Sequence, residues 1–211
     1  MNALQIDINT SEVKAKLDAA VQRLDGKQAR SLFTELQGVL EKETLSNFEA
    51  QGRPTWAPLS EAYKRERIKR NKGKSLLQIL QDSGSLAASV HGYATDDGAG
   101  VGVSKAYAAI HQYGGTIERP AYSVKTRLRT DAKGTLLRQG AEGKGKNLAV
   151  FAKDSHKRAR ETWHEVAAYS VEIPSRPFLP FSGKPGSEVL QPETELSLLA
   201  TLQRYRVDSF R

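Results

Sequence analysis

The residues best suited to chemistry in this 211-residue chain are four histidines, a pair of adjacent aspartates and one glycine-rich run. A metal site on a helix needs two imidazoles three or four residues apart, and a zinc protease needs the HExxH pattern. The histidines lack this spacing and no HExxH occurs, so we expect no metal site. The four are His91, His111, His156 and His164.

The glycine-rich run, residues 98–104, superficially resembles a phosphate-binding loop. Both the dinucleotide and the P-loop patterns require a further glycine or a Gly-Lys-Ser/Thr ending, which this run lacks. It is more typical of a hairpin whose backbones approach closely, with Asp96 and Asp97 in its turn. No nucleophile elbow or local Ser/His/acid arrangement occurs. We therefore predict a protein that is not an enzyme and uses no cofactor.

The composition restricts where the protein works. The chain has no cysteine, which excludes disulfides, thiolate metal sites and a catalytic cysteine, and it fits a reducing compartment. No run approaches the roughly 18 apolar residues that span a bilayer. The first ten residues have neither the basic region nor the apolar core of a signal peptide. We expect a soluble cytoplasmic protein with no membrane partner.

The positive charge, +8 overall, is concentrated in two segments. Residues 53–74 carry eight Lys or Arg against two acids, and residues 119–160 carry twelve against three. This polarity suits head-to-tail self-association or an anionic partner such as DNA. The first segment's basic side chains surround its helix and no aromatic residues interleave, which disfavours reading of a groove and leaves non-specific phosphate contact open. The candidates for a subunit-interface or DNA-facing surface are Arg65, Arg67, Lys69, Arg70, Arg127, Arg129, Lys144, Lys146, Arg158 and Arg160.

Hydrophobic periodicity predicts an α+β fold, with terminal helices packed on a small antiparallel sheet. The second helix has its apolar stripe at Leu32, Leu36, Val39, Leu40, Leu45 and Phe48, and the last helix has a seam at Leu196, Leu199 and Leu202. Between them, a loop with two prolines places the indole of Trp56 on the body of the protein. The predicted helices are residues 11–25, 27–50, 61–71, 106–113 and 192 onward, and the predicted strands are residues 4–8, 86–93, 99–104 and 169–173.

One long segment does not fit the pattern of the rest. Residues 116–172 combine short apolar runs with a Gly- and Lys-rich stretch and a charged stretch, neither of which suits a core. We interpret this segment as an insertion, a β-arm or extended loop, which reaches a neighbouring subunit or the DNA. The core domain would then comprise residues 1–115 and 173–211.

Four short motifs, each weak alone, occur together in a specific order. They are PTWAPLS at residues 54–60, LQDSGSLAASV at 80–90, IHQYGG at 110–115 and PSRPFL at 174–179. In this order, over about residues 50–182, they resemble the phage virion morphogenesis family and, more broadly, phage tail-completion proteins. The motif residues singled out are Trp56, Gly84, Tyr107, His111, Tyr113, Gly114, Gly115, Arg176, Pro177 and Phe178, for which we favour packing roles.

The resemblance implies a structural protein of the head–tail joining region of the virion, built in the host bacterial cytoplasm. Its implied partners are further copies of itself in a ring around the DNA channel and other neck, portal-adaptor or tail-terminator proteins. Packaged DNA would be contacted by non-specific charge. The alternative is a non-specific DNA-binding protein that uses residues 53–74 and 119–160. Within either role, the guanidinium of Arg176 could pair with a carboxylate of its own chain or of the next subunit.

Overall fold

A computed structural model of the chain describes residues 11–22, 24, 26–72, 77–140 and 147–208. The chain divides into two compact units. Unit 1 comprises residues 1–115 and 172–211, and unit 2 comprises residues 116–171. The predicted strand at residues 4–8 lies outside the described residues. None of the described helices is long and apolar enough to cross a membrane.

Three long helices form one half of unit 1. Helix α1 spans Ser11–Val21 and helix α2 spans Gly26–Glu49. The chain's last described helix packs against both, and its bounds are given below with the other C-terminal elements. Gly26 begins α2, whereas the sequence suggested that this glycine ends α1. The apolar side chains of the three helices meet in a first core, which includes Leu32, Phe33 and Leu36.

Two short helices follow in unit 1. Helix α3, Glu61–Arg70, begins as predicted at Ser60, whose hydroxyl accepts a hydrogen bond from the amide of Tyr63. Helix α4, Ala108–Tyr113, ends at Gly114, whose φ of 75° few side chains tolerate. A Cβ at Gly114 would lie 2.8 Å from the amide nitrogen of Ser175, so the predicted need for glycine at this turn has a steric cause.

Two hairpins complete unit 1. Strands β1, Val90–Ala94, and β2, Ala99–Val103, pair antiparallel, with Val90 opposite Val103. The glycine-rich run is therefore hairpin, as predicted. The segment before β1 was predicted as strand, but Ala87–Ser89 form a 3₁₀ turn. A further hairpin was not predicted: β7 is Phe181–Lys184 and β8 is Ser187–Leu190. The C-terminal helix α5, Pro192–Asp208, begins at the predicted residue.

A second core lies between these shorter elements of unit 1. Phe48 at the end of α2 contacts Trp56 edge to face, with ring centroids 5.8 Å apart. Phe178 packs on the other side of Phe48, and both phenylalanines are almost fully buried. Leu86 and Val103 close this core toward β2. The second core thereby joins the end of α2 to the proline-flanked loop and to the segments that carry the other motifs.

Unit 2 is a set of paired strands. Strand β3, Gly115–Arg119, pairs with β6, Tyr169–Ile173, where the chain enters and leaves the unit. Strand β4, Tyr122–Arg129, pairs antiparallel with β5, Ala159–Val166, over eight residues each. An isolated bridge adds Phe151 beside Leu128. The α+β class is confirmed, but the described residues hold four separate two-stranded sheets and not one small sheet.

Candidate functional site

The extended segment at residues 174–181, which we name the anchor segment, is the most densely bonded part of unit 1. It contains three prolines and belongs to no sheet until β7 begins, so its backbone groups need other partners. Gln112 of α4 supplies several of them. Its Oε1 accepts hydrogen bonds from the amides of Phe178 and Leu179, each at 3.0 Å, and its Nε2 donates to the carbonyl of Phe181 at 2.9 Å.

A second buried amide approaches the anchor segment from α2. Asn47 donates through Nδ2 to the carbonyls of Phe178 and Leu179, at 3.1 and 3.3 Å, and to Gln191 Oε1 at 2.9 Å. Its Oδ1 accepts from Arg53 Nε at 2.8 Å. Asn47 and Gln112 are both almost fully buried. Together they satisfy the backbone of the anchor segment from two different helices.

The arginine that donates to Asn47 is itself held by an ion pair. The guanidinium of Arg53 donates to the carboxylate of Glu43 at 2.8 Å and also to that residue's carbonyl. The other carboxylate oxygen of Glu43 accepts from the hydroxyl of Ser197 in α5 at 2.8 Å. Because Glu43 is buried and both of its carboxylate oxygens are bonded, it fixes Arg53 and, through it, the orientation of the Asn47 amide.

The anchor segment also holds the proline-flanked loop. The indole of Trp56 donates to the carbonyl of Pro177 at 2.8 Å, and the ring is buried as predicted. In return, Arg176 donates through Nε to the carbonyl of Ala57 at 2.9 Å and through one terminal nitrogen to that of Pro58 at 3.1 Å. The partners of Arg176 are therefore backbone carbonyls of its own chain, where the sequence suggested a carboxylate.

Burial affects the charged and titratable groups around the anchor segment. It lowers the pKa of Arg176 and also that of His111, where the nearby charge of Arg176 acts in the same direction. The backbone of His111 accepts the amide of Arg176 at 2.7 Å, and its ring meets that of Tyr107 edge to face. His111 is thus a neutral residue in a packing role. Its ring contacts that of Tyr107, whose side chain is 43% exposed.

The hairpin next to the anchor segment is fixed by Tyr113 and Glu188. The phenol of Tyr113 donates to Glu188 Oε1 at 2.8 Å, and the amide of Gly186 donates to Oε2 at 3.0 Å. Burial and the hydrogen bond to the carboxylate raise the pKa of Tyr113. Burial acts to raise the pKa of Glu188, but the bonds that it accepts lower it overall. This pair closes the turn between β7 and β8.

The basic residues proposed as a binding surface differ in their exposure and in their partners within the chain. Arg67 is buried, where it donates to the carbonyls of Gln78 and Gln81 and pairs with Asp82 at 2.9 Å. It is therefore an internal clamp and not a surface contact, because its charge is already matched inside the chain. Arg70 also pairs with Asp82. Arg65 and Lys69 are exposed on the same helix.

The basic candidates in unit 2 also have separate environments. Arg127 is three-quarters covered and pairs with Asp154 and Glu161, each at 2.9 Å. Arg129 is partly buried, whereas Arg158 and Arg160 are exposed. Lys144 and Lys146 lie outside the described residues. Exposed cations are thus present, but several of the named ones are held by internal carboxylates or carbonyls.

Two further motif residues, Gly84 and Gly115, have positive φ angles. Gly84 has a φ of 70° in the turn before the 3₁₀ segment, and a Cβ added there would meet no atom within 4 Å. Gly115 has a φ of 151° beside Ile110. Among the described residues, no group of three or more His, Asp or Glu side chains is placed to hold a metal ion.

The sequence interpretation did not identify Asn47 and Gln112, the two amides that organise the site. Both lie on predicted helices, and Gln112 is the central residue of the IHQYGG motif. The available signal was a polar residue on the inner face of a short helix directly before a double-glycine turn. Since buried polar groups require partners, such a residue indicates an irregular backbone segment nearby.

This arrangement is that of a structural module, because its buried polar side chains hold separate chain segments together. The chain belongs to the phage virion morphogenesis family, whose model matches residues 8–192. It is 30% identical over 118 residues to the Mu-like prophage FluMu G protein 2 of Haemophilus influenzae (strain ATCC 51907 / DSM 11121 / KW20 / Rd). That similarity covers 55% of this chain and 74% of the relative. No solved structure matches the chain significantly.

Proposed function

We propose that the chain is a structural protein of the tail-completion or neck region of a phage virion, where copies assemble as a ring around the DNA channel. The observation that carries this proposal is the family match, which extends over residues 8–192 and so includes helices α1 to α4 and the anchor segment. The proposed partners are further copies and neighbouring neck, portal-adaptor or tail-terminator proteins. No catalytic step is part of the proposal.

The organisation of unit 1 supports an assembly role. Asn47, Gln112, Trp56 and Arg176 bind α2, α4, the proline-flanked loop and the anchor segment into one body. These bonds are mostly to backbone groups, so the body keeps its shape without a ligand. A virion component that must present fixed surfaces to neighbours benefits from such rigidity, since ordering costs are then small on association.

The alternative, a DNA-binding protein that works through residues 53–74 and 119–160, has weaker support. Arg67, Arg70 and Arg127 are engaged with carboxylates of the same chain, which reduces the charge available to phosphates. Exposed Lys and Arg side chains remain, so non-specific contact with DNA in a channel is compatible with the ring.

The decisive experiment interrupts the gene with a stop codon in a phage that carries it and complements the gene from a plasmid. We expect heads and tails that fail to join or tails that fail to mature, and we expect the complementing protein in purified particles by mass spectrometry. Electron microscopy of those particles would then locate it by an added tag. Normal particles without the protein would contradict the proposal. A monomer that shifts duplex DNA at physiological salt and is absent from particles would favour the alternative.

A further inference from the structure

The hairpin of β4 and β5, which we name the ribbon, has two chemically different faces. Successive side chains of a strand point to opposite sides, and residues opposite each other in a register share a side. One face therefore carries Tyr122, Val124 and Leu128, with Thr126 between the last two and Phe151 added through its bridge to Leu128. From β5 it carries Val166, His164, Thr162 and Arg160. We name this the apolar face. Tyr122, Val124 and Phe151 are 48%, 38% and 70% exposed within the described structure.

On the opposite face of the ribbon, two cations pair with a carboxylate of the same ribbon. Lys125 pairs with Glu161 at 2.5 Å, and Arg127 pairs with the same carboxylate. The hydrogen bond from Lys125, together with the charges of both cations, lowers the pKa of Glu161 although burial acts to raise it. The ammonium of Lys125 also lies 5.9 Å from the ring centroid of Trp163. Lys125 and Arg127 of this face thus have carboxylate partners, and the ring of Trp163 beside them is 68% exposed.

The apolar face has no such partner among the described residues. A two-stranded hairpin is marginally stable in water unless one face is covered, and contiguous exposed apolar side chains mark contact surfaces. Arg160 and His164 of β5 lie on this face, and both are exposed. Within the described part of the chain, Arg160 is in none of the ion pairs. A surface that covers the apolar face should therefore be apolar at its centre and carry carboxylates at its edge.

Unit 1 carries a surface with one exposed leucine at its centre and two glutamates and one lysine around it. A shallow groove on the outer side of α2 is lined by Gly38, Glu41, Lys42, Leu45, Ser46 and Glu49, and we name it the α2 groove. Leu45 at its centre is 40% exposed, although the sequence placed this residue in the core stripe. Glu41 and Glu49 flank Leu45 by one helical turn on each side and take part in none of the described ion pairs.

Gly38, at one end of this groove, is a glycine that the fold of the described chain does not require. A glycine inside a helix costs about 0.5–1 kcal/mol relative to alanine. The φ of Gly38 needs no glycine, and a Cβ there would meet no atom within 4 Å. Packing within the described chain therefore does not explain the residue. Close approach of another backbone to α2 would explain it.

We infer that the apolar face of the ribbon of one copy binds the α2 groove of the next copy. Tyr122, Val124 and Phe151 would cover Leu45, and Arg160 would approach Glu41 or Glu49. Because the two surfaces differ and belong to the same chain, the contact is head-to-tail, which is the type that generates rings. The inference rests on the proposed function, in that it supplies the contact from which the proposed ring is built.

Cross-linking tests the contact directly, because the natural chain has no cysteine. The variants Leu45→Cys and Val124→Cys each carry a single thiol, and a short bismaleimide should join them into a covalent dimer when the two are mixed. Matched controls replace Leu45→Cys by Leu196→Cys and Val124→Cys by Val189→Cys, since Leu196 and Val189 are exposed elsewhere in unit 1. We expect little dimer in control mixtures. Equal yields in test and control mixtures would overturn the inference.

Charge substitutions at the same positions test the energetics. Leu45→Asp and Val124→Asp should each weaken self-association by at least about tenfold in analytical ultracentrifugation, and Leu196→Asp and Val189→Asp should leave it unchanged. Thermal unfolding of each variant shows whether the monomer still folds. If Leu45→Asp does not fold, Glu49→Arg is the substitute, and its loss should be restored in mixtures with Arg160→Glu.

The outcomes separate this inference from the function on which it rests. Rings that survive Leu45→Asp and Val124→Asp would overturn the contact and leave the neck role intact. A wild-type chain that remains monomeric at millimolar concentration would also overturn the contact, and its presence in mature particles would decide the neck role independently.

Discussion

At the scale of single residues, unit 1 depends on side-chain amides that serve backbone groups. Each amide offers a carbonyl acceptor and an NH₂ group with two donors, so one buried Asn or Gln can satisfy several groups of a segment that has no sheet partner. Gln112 and Asn47 together bond backbone groups of Phe178, Leu179 and Phe181. The anchor segment is ordered by these two side chains as much as by its own prolines.

Replacement of Gln112 by alanine should therefore destabilise the protein strongly. The change leaves two amides and one carbonyl of the anchor segment buried without partners, at about 1–3 kcal/mol for each group. We expect the free energy of unfolding to fall by about 3–5 kcal/mol, measured by urea denaturation. The matched control is Gln203→Ala, an exposed helical position, for which we expect a change within about 0.5 kcal/mol. Similar losses for both variants would contradict the role of Gln112.

The ion pairs of Asp82 with Arg67 and Arg70 should make the stability of the protein depend on pH in the acid range. Burial alone would raise the pKa of Asp82, but the charges of Arg67 and Arg70 lower it overall. A carboxyl whose pKa is lowered by folding stabilises the native state above its unfolded pKa of about 3.9 and loses that contribution as pH falls through the folded pKa. We expect Asp82→Asn to lower the melting temperature at pH 7 and to differ less from wild type at pH 3. A difference that is the same at both pH values would refute this linkage.

The residue scale was the hardest to predict from the sequence. The placement of Trp56 was predicted with the correct physical reason, because prolines on both sides exclude a helix and a large apolar ring tends to lie on the body of the protein. The partners of Arg67 and Arg176 were not predicted, since charge alone does not reveal whether a cation is buried. Gln112 was missed because long-range bonds to residues 178–181 leave no local pattern.

At the scale of elements, helix α5 shows how a period can be assigned to the wrong face. The predicted seam included Leu196, but that side chain is 68% exposed, and Leu198 is buried in its place. Leu202 is buried as expected. Leu196 and Leu198 both fit the helical period, and only the position of α2 determines which of the two is buried. We predict that Leu198→Ala lowers the free energy of unfolding by about 2–4 kcal/mol and that Leu196→Ala changes it by less than about 0.5 kcal/mol, by urea denaturation.

Helix α2 offers a stabilising substitution. Gly38→Ala should raise the free energy of unfolding of the dilute monomer by about 0.5–1 kcal/mol, because the helix gains propensity and the new methyl group meets open space. Gly114→Ala is the contrasting control, since its φ of 75° and the nearby Ser175 backbone make any Cβ costly. Loss of stability in Gly38→Ala would show that the space above α2 is not free.

The elements themselves were largely predictable, and the exceptions have physical causes. Helices α2 and α3 and strand β6 lie within one residue of their predicted bounds. The apolar period and the following glycine mark α2, the cap at Ser60 marks the start of α3, and Pro174 marks the end of β6. The hairpin of β7 and β8 was not predicted. Its four-residue strands are too short for a periodic signal, and they follow a proline-rich segment that disfavours a strand assignment.

At the scale of the whole molecule, both buried cores belong to unit 1. Unit 2 carries 12 basic and six acidic residues, and its ribbon has two exposed faces. The stability of unit 2 therefore comes from strand pairing and ion pairs and, in the proposed contact, from the α2 groove of the next copy.

Replacement of residues 116–171 by a short Gly-Ser linker should leave unit 1 folded, because no residue of either core is removed. We expect a cooperative thermal transition and helical circular dichroism close to those of the full chain, with loss of self-association in analytical ultracentrifugation. A truncated protein without a cooperative transition would show that unit 1 depends on unit 2 for its fold.

The pairing of an apolar ribbon with a groove on another copy has a consequence for the size of the assembly. Nothing in a head-to-tail contact limits the number of copies; the rotation from each copy to the next decides whether the chain of contacts closes. Ribbons twist readily, so a small change of twist alters that rotation. Substitutions within β4 or β5 that preserve binding could therefore convert a closed ring into an open helical filament, and such polymorphism would be visible by electron microscopy before any loss of affinity was measured.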